Sequence, residues 1–403
     1  MGTRTNWSGN YRYAAREVIE PATIDELVRI VTSANSAKAL GSRHSFNGIA
    51  DTAGVQISLA GLVQPPRLGD GTVTVSAATR YGELGQMLSS EGRALHNLAS
   101  LPHISVAGAI ATATHGSGLA LGNLSSAVRA LRILRADGEF ADLDTAQPDF
   151  AGAVVGLGAL GVVTELTLAT EPAFDVSQTV FDGLGWSDVT THFGEIMASA
   201  YSVSLFTDWG ESGAQAWLKS RTGAVGELLG RSAAREQRHP VPGNPADFTT
   251  RQLGEPGPWN ERLPHFRLEF TPSNGEEIQS EYLMPLEAAP AAIEAMRAVA
   301  DAFRPLLLVS EIRTIAADDL WMSTAYGRDS VAFHFTWLRD QAGVEAALPA
   351  IERALAPFDP RPHWGKLFGM TAAPPRLDEF RALVARWDAR GVFRNAYLDR
   401  VLG

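Results

Sequence analysis

Apolar residues at Ile24, Leu27, Val28 and Val31 fall on one face of a helix, and Thr23 with Glu26 three residues later supplies the capping box that starts it. Alternation then takes over. Residues 72–78 read as a strand, residues 81–91 as a helix turning Leu84, Met87 and Leu88 inward, and residues 129–144 as a hairpin folded at Asp137-Gly138. Residues 162–168 alternate again and predict a strand. That strand decides the meaning of Gly156-Leu-Gly-Ala-Leu-Gly161, which satisfies G-x-G-x-x-G: a dinucleotide-binding turn needs a helix after its last glycine, so the motif is set aside. Near Glu171-Pro172 the texture changes to longer loops and more tryptophan. Strands are expected over 201–209 and 266–270, then a helix over 285–303 carrying Ile293, Met296, Val299 and Phe303. Strands over 306–315 and 331–337 follow, and a tail helix over 376–387.

With 403 residues the chain exceeds what one core usually supports, and the change of texture divides it into residues 1–170, residues 171–366 and a return segment 367–403. A net charge of −11 argues against a nucleic-acid groove or an anionic membrane surface. The complete lack of cysteine excludes disulfides, thiolate nucleophiles, iron–sulfur clusters and cysteine-held zinc, and no metal is expected. Residues 1–16 hold no signal-peptide core, and no apolar run reaches membrane-span length, so a cytoplasmic protein is expected. Lysine occurs only at Lys38, Lys219 and Lys366, so Lys366 is not generic surface filler.

Two loops of small residues, Gly41-Ser-Arg-His-Ser-Phe-Asn47 and Gly108-Ala-Ile-Ala-Thr-Ala-Thr-His-Gly-Ser-Gly118, expose enough bare backbone to approach a large flat or phosphorylated ligand, and each adds an imidazole. Either loop alone reads equally well as a glycine turn with an incidental histidine. In the 306–315 strand, period two puts Glu311 and Arg313 on one face. In the 331–337 strand it puts His334 and Thr336 opposite Phe333, Phe335 and Trp337. If the two strands are neighbours, these polar groups converge on one polyol-sized patch; on pattern alone, a structural ion pair and a satisfied core histidine explain them better. Pro362-His-Trp-Gly-Lys366 precedes the tail helix and can return Lys366 towards the loops, or form an aromatic turn with a surface lysine.

Taken together these segments resemble the vanillyl-alcohol-oxidase type of FAD flavoproteins, in particular the bacterial alditol oxidases within the sugar and aldonolactone oxidase group. The resemblance runs from Trp7 to the C-terminus. It rests on the two loops, on Asn97-Leu-Ala-Ser-Leu-Pro-His-Ile-Ser-Val-Ala-Gly108, Gly158-Ala-Leu-Gly-Val-Val-Thr164 and Glu311-Ile-Arg313, and on His334-Phe-Thr-Trp337 and His363-Trp-Gly-Lys366. It implies an α+β, two-domain PCMH-type FAD-binding fold whose substrate-binding cap is built on a mixed or antiparallel sheet. By the same resemblance His44 would carry FAD covalently, and Ala39, Leu40, Gly41, Ser42, Arg43 and Ser45 would wrap its pyrophosphate. Ala99, Ser100, Ser105, Gly108, Ala109, Ile110 and Ala111 would line the flavin, with Ala113, Thr114, His115, Gly116 and Val163 beside them. Arg43 departs from the glycine common at that position.

The implied reaction is oxidation of the terminal primary alcohol of an alditol such as xylitol or sorbitol to the aldose, with molecular oxygen as acceptor and hydrogen peroxide as product. His334 would take the hydroxyl proton, Arg313 would stabilise alkoxide character, and Lys366 would face the flavin edge that becomes anionic. Ser100, Glu311, Arg313, Thr336 and Lys366 would hold the polyol. The expected partners are a small polyol and oxygen, with no nucleic acid and no membrane, and the chain is expected to be a monomer. The alternatives are an aldonolactone oxidase or a flavin dehydrogenase with another acceptor. A hydrolase built on Glu311 lacks a convincing second carboxylate, and a non-catalytic sugar-binding protein would bind polyol without flavin reduction.

Overall fold

The computed structural model describes residues 4–241, 243–269 and 276–403, and these form an α+β protein. The helix Ile24–Ser33 starts where expected, with Thr23 Oγ1 accepting from the Glu26 N–H at 3.2 Å. The Glu26 carboxylate caps the Ala22 N–H instead of closing back on Thr23. A parallel three-stranded sheet follows, ordered Glu17–Ile19, Val55–Ser58, Ala37–Leu40. Its Ala37–Leu40 strand ends at the first glycine loop, and ligand sites of parallel sheets lie beyond such carboxyl ends. Five antiparallel strands form a second sheet: Arg67–Gly69, Thr72–Ser76, Val162–Ala169, Val128–Leu134 and Phe140–Asp144. The last two are the expected hairpin, and Gly138 at its turn has φ 88°. No helix follows Gly161, which leads straight into Val162–Ala169.

Among the described residues the largest sheet has eight antiparallel strands. In spatial order they are Pro256–Pro258, Asp175–Leu184, Ala214–Ser220, Ser202–Thr207, Leu307–Ile315, Ser330–Leu338, Glu277–Pro285 and Arg361–Pro362. One face is aromatic and dry. Phe335 stacks on Trp337 with centroids 5.1 Å apart, Trp209 stacks on Phe335, and Phe303 closes on both edge-on. The opposite face carries the alternate residues Glu311, Arg313, His334 and Thr336. This division follows from the two-residue period of the strands.

Two expectations need correction. Residues 266–270 are not a strand: Phe266 makes one bridge to Thr249, Leu268 and Glu269 turn, and Phe270 lies outside the described residues. The helix expected over 285–303 is confined to Ala289–Ala298, between 3₁₀ turns at Leu286–Ala288 and Ala300–Ala302. Ile293, Met296 and Phe303 are buried as the periodicity demands, but the Val299 backbone leaves the helix at φ −113°, ψ 6°. Among the described residues no helix is long and apolar enough to cross a membrane.

The C-terminal segment is sewn onto the first 160 residues. Asn395 Nδ2 donates to the carbonyls of Gly48, Ile49 and Asp51, while its Oδ1 caps the helix Ala396–Leu402 at Leu398. Arg390 reaches the carbonyls of Thr32, Ala34 and Ala136. Asn395→Ala therefore removes a cap and strips three carbonyls of a donor, and we expect a loss of about 1–3 kcal/mol. Urea denaturation measures it, and an unchanged midpoint would show that water replaces Asn395.

Candidate active site

One cavity of about 600 Å³ runs between the two glycine loops and the polar face of the large sheet. The loops meet on Ser105: the Ser42 N–H reaches Ser105 Oγ at 3.3 Å, and the Ser105 N–H reaches Ser42 Oγ at 2.9 Å. A Cβ on Gly41 would stand 2.6 Å from Ser105 Oγ and one on Gly108 2.8 Å from it, so this seam needs glycine on both sides. A third wall comes from Gly156, Leu157 and Gly158, whose last two carbonyls are held by buried Lys38 at 3.5 and 2.9 Å. Each of the three backbone segments behind these walls contains one non-glycine residue in the left-handed region: Arg43 at φ 64°, Ala113 at 53° and Leu157 at 52°. Such strain collects where a backbone is shaped for a ligand.

Of the cofactor residues expected from sequence, the structure places Ala39 through Ser45, Ala99, Ser100, Ser105, Gly108 through Ala111, Thr114, His115 and Val163 on the cavity wall. Ala113 and Gly116 are not there. Ala113 is fully buried, and a Cβ on Gly116 would stand 2.4 Å from Asn97 Oδ1 and 2.5 Å from the Leu98 carbonyl oxygen. Their backbones shape the loop without facing the cavity.

His44 stacks on Trp7 with centroids 5.1 Å apart, and its Nδ1 is buried with no hydrogen-bond partner. Burial, reinforced by the charges of His103, Lys366 and Arg80, drives its pKa down to about 3. The ring is therefore a neutral imidazole near pH 7. That orphaned nitrogen, the glycine seam and the cavity size together fit a large flat phosphorylated cofactor.

On the sheet, Glu281, His334 and Glu311 stand side by side on three neighbouring strands, and Gln279 and Thr336 form the next row. Arg313 binds Glu281 through Nη2 and lies 3.7 Å from Glu311 Oε2 through Nε. His334 Nδ1 is 3.4 Å from Glu281 Oε2, and its Nε2 is 3.2 Å from Thr336 Oγ1. Lys366 reaches Gln279 Oε1, and its backbone is fixed to the first loop, because Asn47 Nδ2 donates to the carbonyls of Trp364 and Lys366. The strand bearing Arg313 joins the second loop through Gly118 N–H to the Thr314 carbonyl at 2.8 Å.

Burial pushes both glutamates up, but Arg313 and the adjacent imidazoles outweigh it and hold both well below the ordinary carboxylate range. Burial lowers His334, against the pull of Glu281, so it is neutral near pH 7. Lys366 is pushed down to about 8, mainly by burial. Glu281 and Glu311 thus face Arg313 and Lys366, with Glu277 bound to Gln279 on the same wall, and the site suits a hydroxyl-rich molecule.

Sequence reasoning missed Glu281, Gln279, His265, Lys219 and the buried His363, and it assigned His115 only to the cofactor. His115, Glu281 and His363 have metal-ligand spacing. The Glu281 oxygen facing His115 is already bound by Arg313.

Residues 15–144 match the family model described as FAD binding domain, and residues 272–401 that described as D-arabinono-1,4-lactone oxidase. The chain is 47% identical to an alditol oxidase of a Streptomyces species over 99% of this chain and 98% of that one. It is 31% identical to an L-gulono-1,4-lactone dehydrogenase of Mycobacterium tuberculosis over 99% of each chain. Among solved structures, a cholesterol oxidase from B. sterolicum superposes with a TM-score of 0.78 at 15% identity, covering 100% of this chain and 96% of that one, which shows a common fold.

Because Arg43 is exposed and left-handed, Arg43→Gly is expected to keep the cofactor bound and to raise stability by up to about 1 kcal/mol. A thermal melt checks this, and a clear loss of stability would mean that the guanidinium contributes to the loop.

Proposed function

This chain belongs to the family of FAD-dependent alditol and aldonolactone oxidases, and we propose that it oxidises the terminal primary alcohol of alditols such as xylitol and sorbitol to the aldose. The observation that carries this reading is the row Glu281–His334–Glu311 with Arg313 and Lys366, which faces the same cavity as the unpartnered nitrogen of His44. FAD, when bound, supplies the two-electron acceptor, and molecular oxygen takes those electrons on as hydrogen peroxide. In this reading residues 1–170 with 367–403 hold the cofactor, residues 171–366 hold the substrate, and His44 is the point of covalent attachment.

His334 is the base. With Nδ1–H turned to Glu281, the lone pair of Nε2 is left beside Thr336 to accept the hydroxyl proton of the substrate. Arg313, locked by Glu281, stabilises alkoxide character as that proton leaves. Lys366 balances negative charge on the reduced cofactor. Ser100, Glu311 and Thr336 take the remaining hydroxyls. A hydroxyl both donates and accepts, so it can serve the Glu311 carboxylate and the Arg313 and Lys366 donors together.

The deciding experiment is an anaerobic spectrum before and after xylitol, followed by air and a peroxide assay. Bleaching that recovers with peroxide release is expected, with the yellow colour staying on acid-precipitated protein and leaving it in His44→Ala. A yellow protein bleached by aldonolactones and untouched by polyols would favour the second reading, which the family match over residues 272–401 supports. Colour retained on precipitated His44→Ala would refute the attachment site.

A pH dependence follows from the two shifted groups. His334 works as a neutral base and Lys366 as a cation, so the bleaching rate should fall above about pH 8 as Lys366 loses its proton. Lys366→Met should lower the rate throughout and remove that alkaline limb. A limb persisting at the same pH in the variant would assign it to another group.

A further inference from the structure

Glu311 is reached from behind by a hydrogen-bond chain that the reaction above does not use. Lys219, on the strand Ala214–Ser220, is 1% exposed. Its Nζ donates to the carbonyls of Leu263 and Pro264 and to His265 Nδ1 at 3.1 Å. All three ammonium donors therefore have acceptors. Because Nδ1 accepts, the proton of His265 sits on Nε2, which donates to Glu311 Oε1 at 2.8 Å. The imidazole cannot swing away, since Phe206 and Trp217 meet it edge-on with centroids 5.2 and 5.5 Å distant. Its backbone N–H is fixed to the Ser100 carbonyl at 3.2 Å. Glu311 Oε2 is left without a hydrogen bond among the described residues, its nearest cation being Arg313 Nε at 3.7 Å.

We propose that Lys219 and His265 are positioning residues that engage Oε1 of Glu311 and thereby present Oε2 to a substrate hydroxyl. The inference rests on the reading of Glu311 as a polyol ligand. The chain fixes the rotation of the carboxylate, and Glu311, ionised chiefly through Arg313 with His265, acts as a pure acceptor that favours hydroxyl donors over the carbonyl of a lactone.

The test is kinetics with xylitol on flavin-loaded Lys219→Met, His265→Phe and His265→Gln, alone and combined with Glu311→Gln. His265→Phe should raise KM roughly 10-fold while the limiting anaerobic bleaching rate falls by less than about 3-fold, and Lys219→Met should raise KM at least about 3-fold. His265→Gln, which keeps an N–H near the Nε2 position, should recover most of the affinity. In the Glu311→Gln background, His265→Phe should add less than about 2-fold, because its effect passes through Glu311. Additive losses there, or a normal KM in Lys219→Met and His265→Phe while Glu311→Gln weakens binding, overturn the positioning role and leave Glu311 as a substrate ligand. A normal KM in Glu311→Gln overturns the reading of Glu311 itself. Should His265→Phe fail to hold flavin, the KM of Lys219→Met decides by the same criterion.

Discussion

Arg313 lies between two buried carboxylates, and most of the site is arranged around that fact. Its guanidinium binds Glu281 directly and faces Glu311, and each glutamate also meets an imidazole: His115 and His334 on one side, His265 on the other. Removing Arg313 would leave two buried carboxylates uncompensated, which is far more destabilising than the intact pairing is stabilising. The cluster therefore contributes less to holding the fold than to fixing directions. Three strands must pair in the observed register for Glu281, His334 and Glu311 to form one row, and a slip of one residue would turn all of them into the aromatic layer.

That aromatic layer is the other half of the constraint. Phe333, Phe335 and Trp337 are fully buried against Trp209 and Phe303, so the register is held by apolar contact on one face while the opposite face carries the polar chemistry. The two glycine loops are tied to this frame separately, one through Asn47 and the Trp364–Lys366 backbone, the other through Gly118 and Thr314. The cofactor walls and the polar face are thus spaced by hydrogen bonds accepted by main-chain carbonyls.

Much of this was legible in the sequence because it is written in local periods. The strands bearing Glu311 and His334 alternate cleanly and do lie side by side, the Asp137-Gly138 hairpin forms, and the strand after Gly161 rules out a dinucleotide turn there. Glu281 escaped for a physical reason. Glu277, Gln279 and Glu281 alternate with Ile278, Ser280 and Tyr282, and such a face looks the same locally whether it meets solvent or a cavity. His265 lies in an irregular stretch, and its partners are 46 residues away in each direction, so no local pattern announces it. The fifteen-residue helix Gln341–Leu355 contains Pro349, which argues locally against a helix, and tertiary contact through buried Val344, Leu348 and Ile351 overrides it.

The distribution of lysine has a practical consequence. Lys38 and Lys219 are sealed in the interior and Lys366 opens onto the cavity, so the outer surface of the described residues presents guanidinium groups and no lysine ammonium. Reagents that acylate or cross-link side-chain amines find nothing to attack on the outside of this molecule. The amine they can reach lies at the end of the cavity, where a bound cofactor would cover it. Side-chain acylation thus becomes a gauge of how completely a preparation is loaded, and a lysine placed anywhere on the surface would be a unique handle for attachment to a solid support.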